Sequence, residues 1–263
     1  MKKHFHKPYR IKKRKSIFRN KIFLFSVLAF ILAGALFYTL FFLDNFQVKK
    51  IIIAGESKTS KEKLESTIEN NLGGKLFFFR TKSIFLADIN NIENDVLSNF
   101  PQIAEVEIKR RYPDTLSVVI AEREEVAAWG LEEAYFLVDD EGIIFEECLP
   151  EIKLIKIVDK KNTPPLALGK KVIEKDYLGK VLETENKLTD DLKIEIGEMI
   201  IFANEFRAKT AEGWEIYFTP KEDLDWQLTK LDLVLEKEIP PERRKDLEYI
   251  ELRFGNFAPY KYK

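Results

Sequence analysis

Residues 22 to 43, from Ile22 to Leu43, carry no charged side chain and lie between Lys21 and Asp44. At about 1.5 Å per residue a helix of that length reaches roughly 33 Å, against a hydrocarbon core of about 30 Å. A stretch so long and so apolar predicts one membrane-spanning helix near the start of the chain. Ala33-Gly34-Ala35 has the small-x-small look of a signal-peptide cleavage site. It lies mid-span, with eight uncharged residues after it through Leu43, so the segment reads as an uncleaved anchor.

Charge gives the span a direction. Residues 1 to 21 hold ten Lys and Arg and no acid, and an excess of cations before a span keeps that end in the cytoplasm. The 33 Lys and Arg that follow face all 44 Asp and Glu, so the outer body has a net charge near −11, which the overall −1 conceals. A basic tail can also be a nucleic-acid arm. Beside a span its simpler role is topology and contact with anionic lipid, about 1 kcal/mol per charge. The one cysteine, Cys148, rules out an internal disulfide, so packed cores must hold the outer body together.

After the span, residues 46 to 53 are rich in β-branched side chains and predict a strand that ends at Ala54-Gly55. Thr59-Ser60-Lys61-Glu62 has capping-box spacing, and Leu64, Ile68 and Leu72 share one helical face that Gly73-Gly74 closes. A second helix is expected over about 83 to 99, with Phe85, Ile89, Ile92 and Val96 in its stripe and Pro101 beyond it. The intervening Phe77-Phe78-Phe79 reads as packing, with partner or membrane contact as the alternative. Ala104, Val106 and Ile108 then alternate with Glu105, Glu107 and Lys109. Arg111-Tyr112-Pro113-Asp114 follows as a turn, before Leu116, Val118 and Ile120. The order strand, helix, helix, strand, strand makes a small sheet covered on one face by two helices.

The second half predicts short strands at 135 to 138, 142 to 146 and 154 to 158, a break at Thr163-Pro164-Pro165 and a helix over about 174 to 188. A two-stranded section follows, 199 to 209 and 214 to 219. Leu224, Leu228, Leu231 and Leu235 then mark a helix whose stripe reads as core, closed by Pro240-Pro241. A last strand is expected over 247 to 253, with another past Gly255. The fold class is α+β: one transmembrane helix, a small helix-covered sheet, and a mixed β domain with flanking helices.

With these segments in hand, the chain resembles the bacterial cell-division family FtsQ, called DivIB in Gram-positive bacteria. The resemblance rests on Phe46-Gln47-Val48-Lys49-Lys50-Ile51 with Gly55, and on Lys109-Arg110-Arg111-Tyr112-Pro113-Asp114-Thr115-Leu116 running into Glu122-Arg123-Glu124 and Trp129. It rests also on Leu137-Val138-Asp139-Asp140-Glu141-Gly142 and on the closing Tyr249-Ile250-Glu251-Leu252-Arg253-Phe254-Gly255-Asn256, where Glu251 stands in place of the usual Asp. It implies a basic cytoplasmic tail at 1–21, a transmembrane helix at 22–43, a POTRA domain at 46–123 and a β domain at 124–263. The implied location is the inner (cell) membrane at the division septum, and the implied partners are FtsB/DivIC-like and FtsL-like proteins. The implied partner-binding residues are Tyr249, Leu252, Phe254, Asn256 and Tyr262. Phe254 lacks the family's tyrosine hydroxyl and keeps only the ring, and its alternative reading is sheet core. The family also uses a basic residue, for which Arg207 and Lys209 are the nearest candidates.

Little in the outer body suggests chemistry. Both histidines, His4 and His6, lie in the basic tail, leaving no imidazole for a Ser-His-Asp or Cys-His arrangement outside. Cys148 sits among Glu146, Glu147 and Leu149, where negative charge disfavours a thiolate. No phosphate-binding or dinucleotide glycine loop occurs. No catalytic residue, metal or cofactor is expected, and neither nucleic acid nor a small-molecule substrate. The reading is a non-enzymatic scaffold of the division complex. Two alternatives stand beside it: a membrane-anchored wall hydrolase, which needs only two carboxylates some 5 to 10 Å apart, and a POTRA-type chaperone for secretion or outer-membrane assembly. The outer-membrane proteins with such domains continue into a barrel, for which this chain is expected to be too short.

Overall fold

The computed structural model describes residues 21–55, 58–76, 79–160 and 166–263. The basic tail, Phe77-Phe78 and the Thr163-Pro164-Pro165 break therefore lie outside the described residues. Helix α1, Lys21–Phe42, is 22 residues long with none buried, and it is long and apolar enough to cross a membrane.

The expected strand-helix-helix-strand-strand order is observed as β1 (Lys50–Ala54), α2 (Lys61–Asn71), α3 (Ile89–Asn99), β4 (Ile103–Arg111) and β5 (Thr115–Glu122). The sheet order is β1-β5-β4. A short hairpin, β2 (Gly74–Leu76) and β3 (Phe79–Thr81), lies between the helices and was not foreseen. The alternation carries into burial: Leu116, Val118 and Ile120 on β5 are buried, and on β4 Ile108 is buried and Ala104 and Val106 half-buried while Glu105, Glu107 and Lys109 are exposed. Leu64 and Ile68 on α2, Leu72 just after it, and Ile92 and Val96 on α3 are buried too, each worth about 1.5–3 kcal/mol relative to exposure.

Two helix starts differ from expectation. At α2 the cap is Ser60, whose hydroxyl accepts from the Lys63 amide at 3.4 Å and donates to Glu62 at 2.9 Å. Thr59, expected in that role, is buried, and its amide donates to Glu122 at 2.7 Å. Helix α3 begins at Ile89 rather than near 83, because the Asp88 carboxylate accepts the Asn91 amide at 3.2 Å and starts it there. Residues 83–88 form a turn instead, and Phe85 is not part of the helical stripe.

By its contacts the chain divides into two compact units that interleave along the sequence. One runs from α1 to Ile52 and includes Glu65–Ile92 and Ile108–Val118. The other includes Ile53–Leu64, Glu93–Glu107 and Val119–Lys263.

Most of the second unit is a nine-stranded mixed sheet. Its strands are β6 (Ala127–Leu131), β7 (Ala134–Val138), β8 (Ile144–Cys148), β9 (Lys156–Asp159), β10 (Ile196–Ile201), β11 (Phe206–Thr210), β12 (Glu215–Phe218), β13 (Leu247–Glu251) and β14 (Tyr260–Tyr262). They lie in the order β14-β13-β12-β11-β10-β9-β6-β7-β8. Helix α4 (Lys175–Asp190) links the parallel pair β9 and β10, and α5 (Leu224–Lys237) links the parallel pair β12 and β13. Parallel neighbours require such crossovers. Leu178, Val181 and Leu188 of α4 and Leu228, Leu231 and Leu235 of α5 join one core with Met199, Phe206, Ile216, Phe218 and Ile250 from the sheet. The leucine stripe of α5 is core, as its spacing suggests.

The sequence reading missed two features here. Strand β6 is buried at all five positions in Ala-Ala-Trp-Gly-Leu, between β7 and β9, so it shows no alternation. The stretch expected as one strand over 199 to 209 is two, because the chain turns at Phe202, whose amide donates to the Glu205 carbonyl at 3.0 Å.

Candidate functional site

Strand register brings two rows of polar and aromatic side chains onto the sheet face opposite the helices. One row runs Ile200, Arg207, Tyr217, Glu251; the other runs Glu198, Lys209, Glu215, Tyr249, Lys261. The alternate positions Met199, Ala208, Ile216 and Ile250 are buried in the core. Period-two alternation thus makes one face hold the fold and leaves the other to meet solvent or a partner.

Within these rows the Tyr217 and Tyr249 rings stack, centroids 5.1 Å apart at 15°. The Arg207 guanidinium lies 4.1 Å from the Tyr217 ring centroid and 4.4 Å from that of Phe202. Arg207 also donates to Glu205 at 2.7 Å and approaches Glu215 at 3.4 Å. Arg253 reaches both Glu205 and Glu251, so Glu205 joins the two arginines. Burial raises the pKa of the Glu251 carboxyl against the opposing pull of Arg207, and burial likewise raises that of the Tyr217 phenol. At the outer end Lys261 pairs with Glu248 at 2.5 Å, and Lys209 pairs with Glu198 at 2.9 Å.

Beyond β13 the chain makes a tight loop, Phe254-Gly255-Asn256-Phe257, in which the Phe257 amide donates to the Phe254 carbonyl at 2.8 Å and Gly255 takes φ +46°. A two-residue Gly-Asn connection favours such a reversal because glycine adopts positive φ at little cost. The loop is pinned from beneath by Lys230 of α5, only 4% exposed, whose ammonium donates to the Leu252 and Gly255 carbonyls at 2.5 and 2.7 Å. Both phenylalanine rings are left outside, Phe254 56% and Phe257 76% exposed. Strand β14 then ends the sheet, and its outer side pairs with no strand among the described residues.

The five residues expected from the sequence thus divide. Phe254 and Asn256 share the exposed loop, so the core reading of Phe254 does not apply. Tyr249 lies half-buried in the ionic-aromatic face. Tyr262 faces the other way, partly packed on the core beneath the Arg243 guanidinium, 4.0 Å from the ring centroid. Leu252 is fully buried and can support a surface only from below. Sequence reasoning missed Phe257, although two phenylalanines around Gly-Asn are themselves a hairpin signal. It also missed Tyr217, Glu205 and Arg253, whose convergence depends on register.

The unit also has a hollow of about 230 Å³ beside α5, lined by Glu183, Glu222, Asp223 and Asp225 among others. All four acids have structural partners, Glu183 pairing with Lys187 at 2.9 Å. Asp223 caps α5 by accepting the Trp226 amide at 2.9 Å, Asp225 pairs with Lys187 at 2.6 Å, and Glu222 lies 3.6 Å from Lys230. Among the described residues no group of three or more His, Cys, Asp and Glu is placed to hold a metal ion.

Comparison with known proteins agrees with this architecture. The family model for the POTRA domain of FtsQ type matches residues 46–123. A cell division protein FtsQ of Neisseria meningitidis is 34% identical over 103 residues, 39% of each chain. The FtsQ of Neisseria gonorrhoeae is 44% identical over 64 residues, 24% of this chain and 25% of that one. A cell division protein DivIB of Clostridium tetani is 27% identical over 218 residues, 79% of this chain and 77% of that one. The matches thus span two fifths or less of the neisserial relatives and about three quarters of the clostridial one.

Proposed function

Because the chain belongs to the FtsQ/DivIB family of cell-division proteins, we propose that it is a non-enzymatic scaffold, anchored by α1, that recruits other division proteins through its C-terminal strands. In this reading residues 1–21 are a cytoplasmic tail, 22–43 the span, 46–123 the POTRA domain and 124–263 the β domain. The body lies outside the cell membrane and works at the septum, with FtsB/DivIC-like and FtsL-like proteins as partners.

The observation that carries the proposal is the open outer side of β14, next to the exposed Phe254 and Phe257. An unpaired strand edge offers amides and carbonyls to an incoming strand, which supplies affinity. The two rings and the Arg207–Tyr217–Tyr249 face supply selection. Buried Leu252 acts as the base on which the loop rests. The structural partners of the acids around the hollow favour a scaffold over a wall hydrolase.

The test is a pull-down from detergent-solubilised native membranes with the full chain and with a Phe254→Glu, Phe257→Glu variant. Truncation after Leu247 is a poor test, since it would strip Ile250 and Leu252 from the core. Small single-pass coiled-coil proteins should accompany the parent chain and be lost from the variant while its fold persists. Equal recovery with both would overturn the assignment of the loop. Altered wall fragments on depletion, without filamentous cells, would favour the hydrolase; defective outer-membrane proteins would favour the chaperone.

A further inference from the structure

The Lys109-Arg110-Arg111-Tyr112-Pro113-Asp114 segment plays no part in the C-terminal site, and its position next to the apolar helix points elsewhere. No flexible linker separates α1 from β1. The Thr81 hydroxyl donates to the Phe41 carbonyl at 2.6 Å, the Gln47 amide group to the same carbonyl at 3.1 Å, and the Ser83 hydroxyl to the Leu40 carbonyl at 3.0 Å. These are carbonyls of the last helical turn, which have no partner within the helix. The Ile84 amide donates to the Phe46 carbonyl at 2.9 Å and the Val48 amide to the Lys82 carbonyl at 3.0 Å, so the 82–85 turn is tied directly to the helix exit.

That turn carries an aromatic chain away from the helix. Phe85 packs on Phe41 of the last turn at 6.5 Å, on Phe46 at 5.6 Å and on Tyr112 at 5.3 Å. Arg110 fixes the arrangement by donating to the Ile84 and Ala87 carbonyls at 2.8 and 2.6 Å. Even so, Tyr112 is 61% and Phe85 37% exposed. Cations gather on the same segments: Lys49, Lys50, Lys82, Lys109, Arg110 and Arg111 are all exposed, against Asp44 and half-buried Asp114. The body as a whole is strongly acidic, so this local excess is unlike the rest of it.

We propose that Phe85 and Tyr112, with the surrounding lysines and arginines, form a foot that rests in the headgroup layer of the membrane α1 crosses, on anionic phospholipid. The proposal depends on α1 being a membrane span. A helix of about 33 Å in a core of about 30 Å puts Phe41 at the boundary. Phe85 touches Phe41 and Tyr112 touches Phe85, so both rings lie near headgroup depth. An amphipathic tyrosine is favoured there, and each cation near an anionic surface contributes about 1 kcal/mol. The carbonyl bonds to α1 set the orientation that brings the foot down.

The test places the full chain, in a Cys148→Ser background, in nanodiscs of mixed phosphatidylglycerol and phosphatidylcholine. A nitroxide is attached at Tyr112→Cys and, separately, at Lys82→Cys, Leu32→Cys and Lys237→Cys. Accessibility to oxygen is compared with accessibility to a water-soluble nickel chelate. Position 32 should read as hydrocarbon and 237 as water. Positions 112 and 82 should fall between, with an oxygen-to-nickel ratio severalfold above that at 237. No division protein is present, so shielding cannot come from a division partner. If 112 and 82 are as aqueous as 237 while 32 reads as hydrocarbon, the foot is wrong and the span stands. If 32 is also aqueous, both are wrong.

Discussion

The two ends of the nine-stranded sheet handle the same hazard in opposite ways. At β8 the chain covers its own edge. The Ile144 amide donates to the Lys170 carbonyl at 3.1 Å, the Gly169 amide to Ile144 at 2.7 Å and the Val172 amide to Gly142 at 2.8 Å, while exposed Glu146 and Glu147 protect the rest of the strand. At β14 nothing covers the edge among the described residues, and the neighbouring loop presents two phenylalanines to solvent. A covered, acidic edge repels pairing, whereas an open edge beside aromatic rings invites it. One sheet therefore carries a protected end and an open end, and under the proposed function the difference separates residues that hold the fold from residues left for a partner.

The largest effect should come from treating a support residue as if it were surface. Leu252→Ala empties a fully buried position and should cost about 2–5 kcal/mol in chemical denaturation, whether or not a partner is present. A loss below about 1 kcal/mol would mean that the core beneath the loop is looser than described.

Opening the protected edge should come next. Gly142 has φ +79°, and a Cβ there would meet the Ile173 carbonyl oxygen at 2.1 Å. Gly142→Ala should displace the 169–172 cover, cost about 1–3 kcal/mol, and produce self-association through β8 in sedimentation. If the variant is destabilised yet strictly unassociated, its charges alone protect that edge.

At the receptive end the signs reverse. Phe254→Glu with Phe257→Glu removes exposed rings, so the melting free energy should stay within about 0.5 kcal/mol per substitution while partner recovery is lost. A large drop in stability would assign the rings to the fold instead.

The smallest effect concerns Cys148 at the protected edge. Burial, and then the Glu146 charge, raise its thiol pKa above that of a free thiol. Less thiolate is present at any given pH than for a free thiol, so alkylation should be slow near neutrality and rise only at more alkaline pH. Glu146→Gln should shift the rate profile slightly toward lower pH. A midpoint at or below that of a free cysteine thiol measured alongside would contradict this environment.

The sequence made much of this legible where one physical signal dominated. The uncharged run gave α1, alternation gave β4 and β5, and the leucine spacing gave α5. It was less informative where tertiary context decides. Strand β6 is buried on both faces and so has no period, and Ser60 and Asp88 rather than the expected residues start α2 and α3. Of the site, the Phe254-Gly255-Asn256 loop was visible as local turn chemistry. The Arg207–Tyr217–Tyr249–Glu251 face was not, because those residues meet only through register across β11, β12 and β13, the last set apart from the other two by α5. Exposure separates Phe254 from Leu252, and no pattern in so short a strand could assign it.

The most direct test of the receptive edge is amide hydrogen exchange on the full chain in nanodiscs, with and without the FtsB/DivIC-like partner proposed for it. Exchange at residues 260 to 262 should slow on binding, with exchange at 144 to 148 unchanged. Slowing at 144 to 148, or along α4 and α5, with 260 to 262 unaffected would contradict the account and move the partner to another surface.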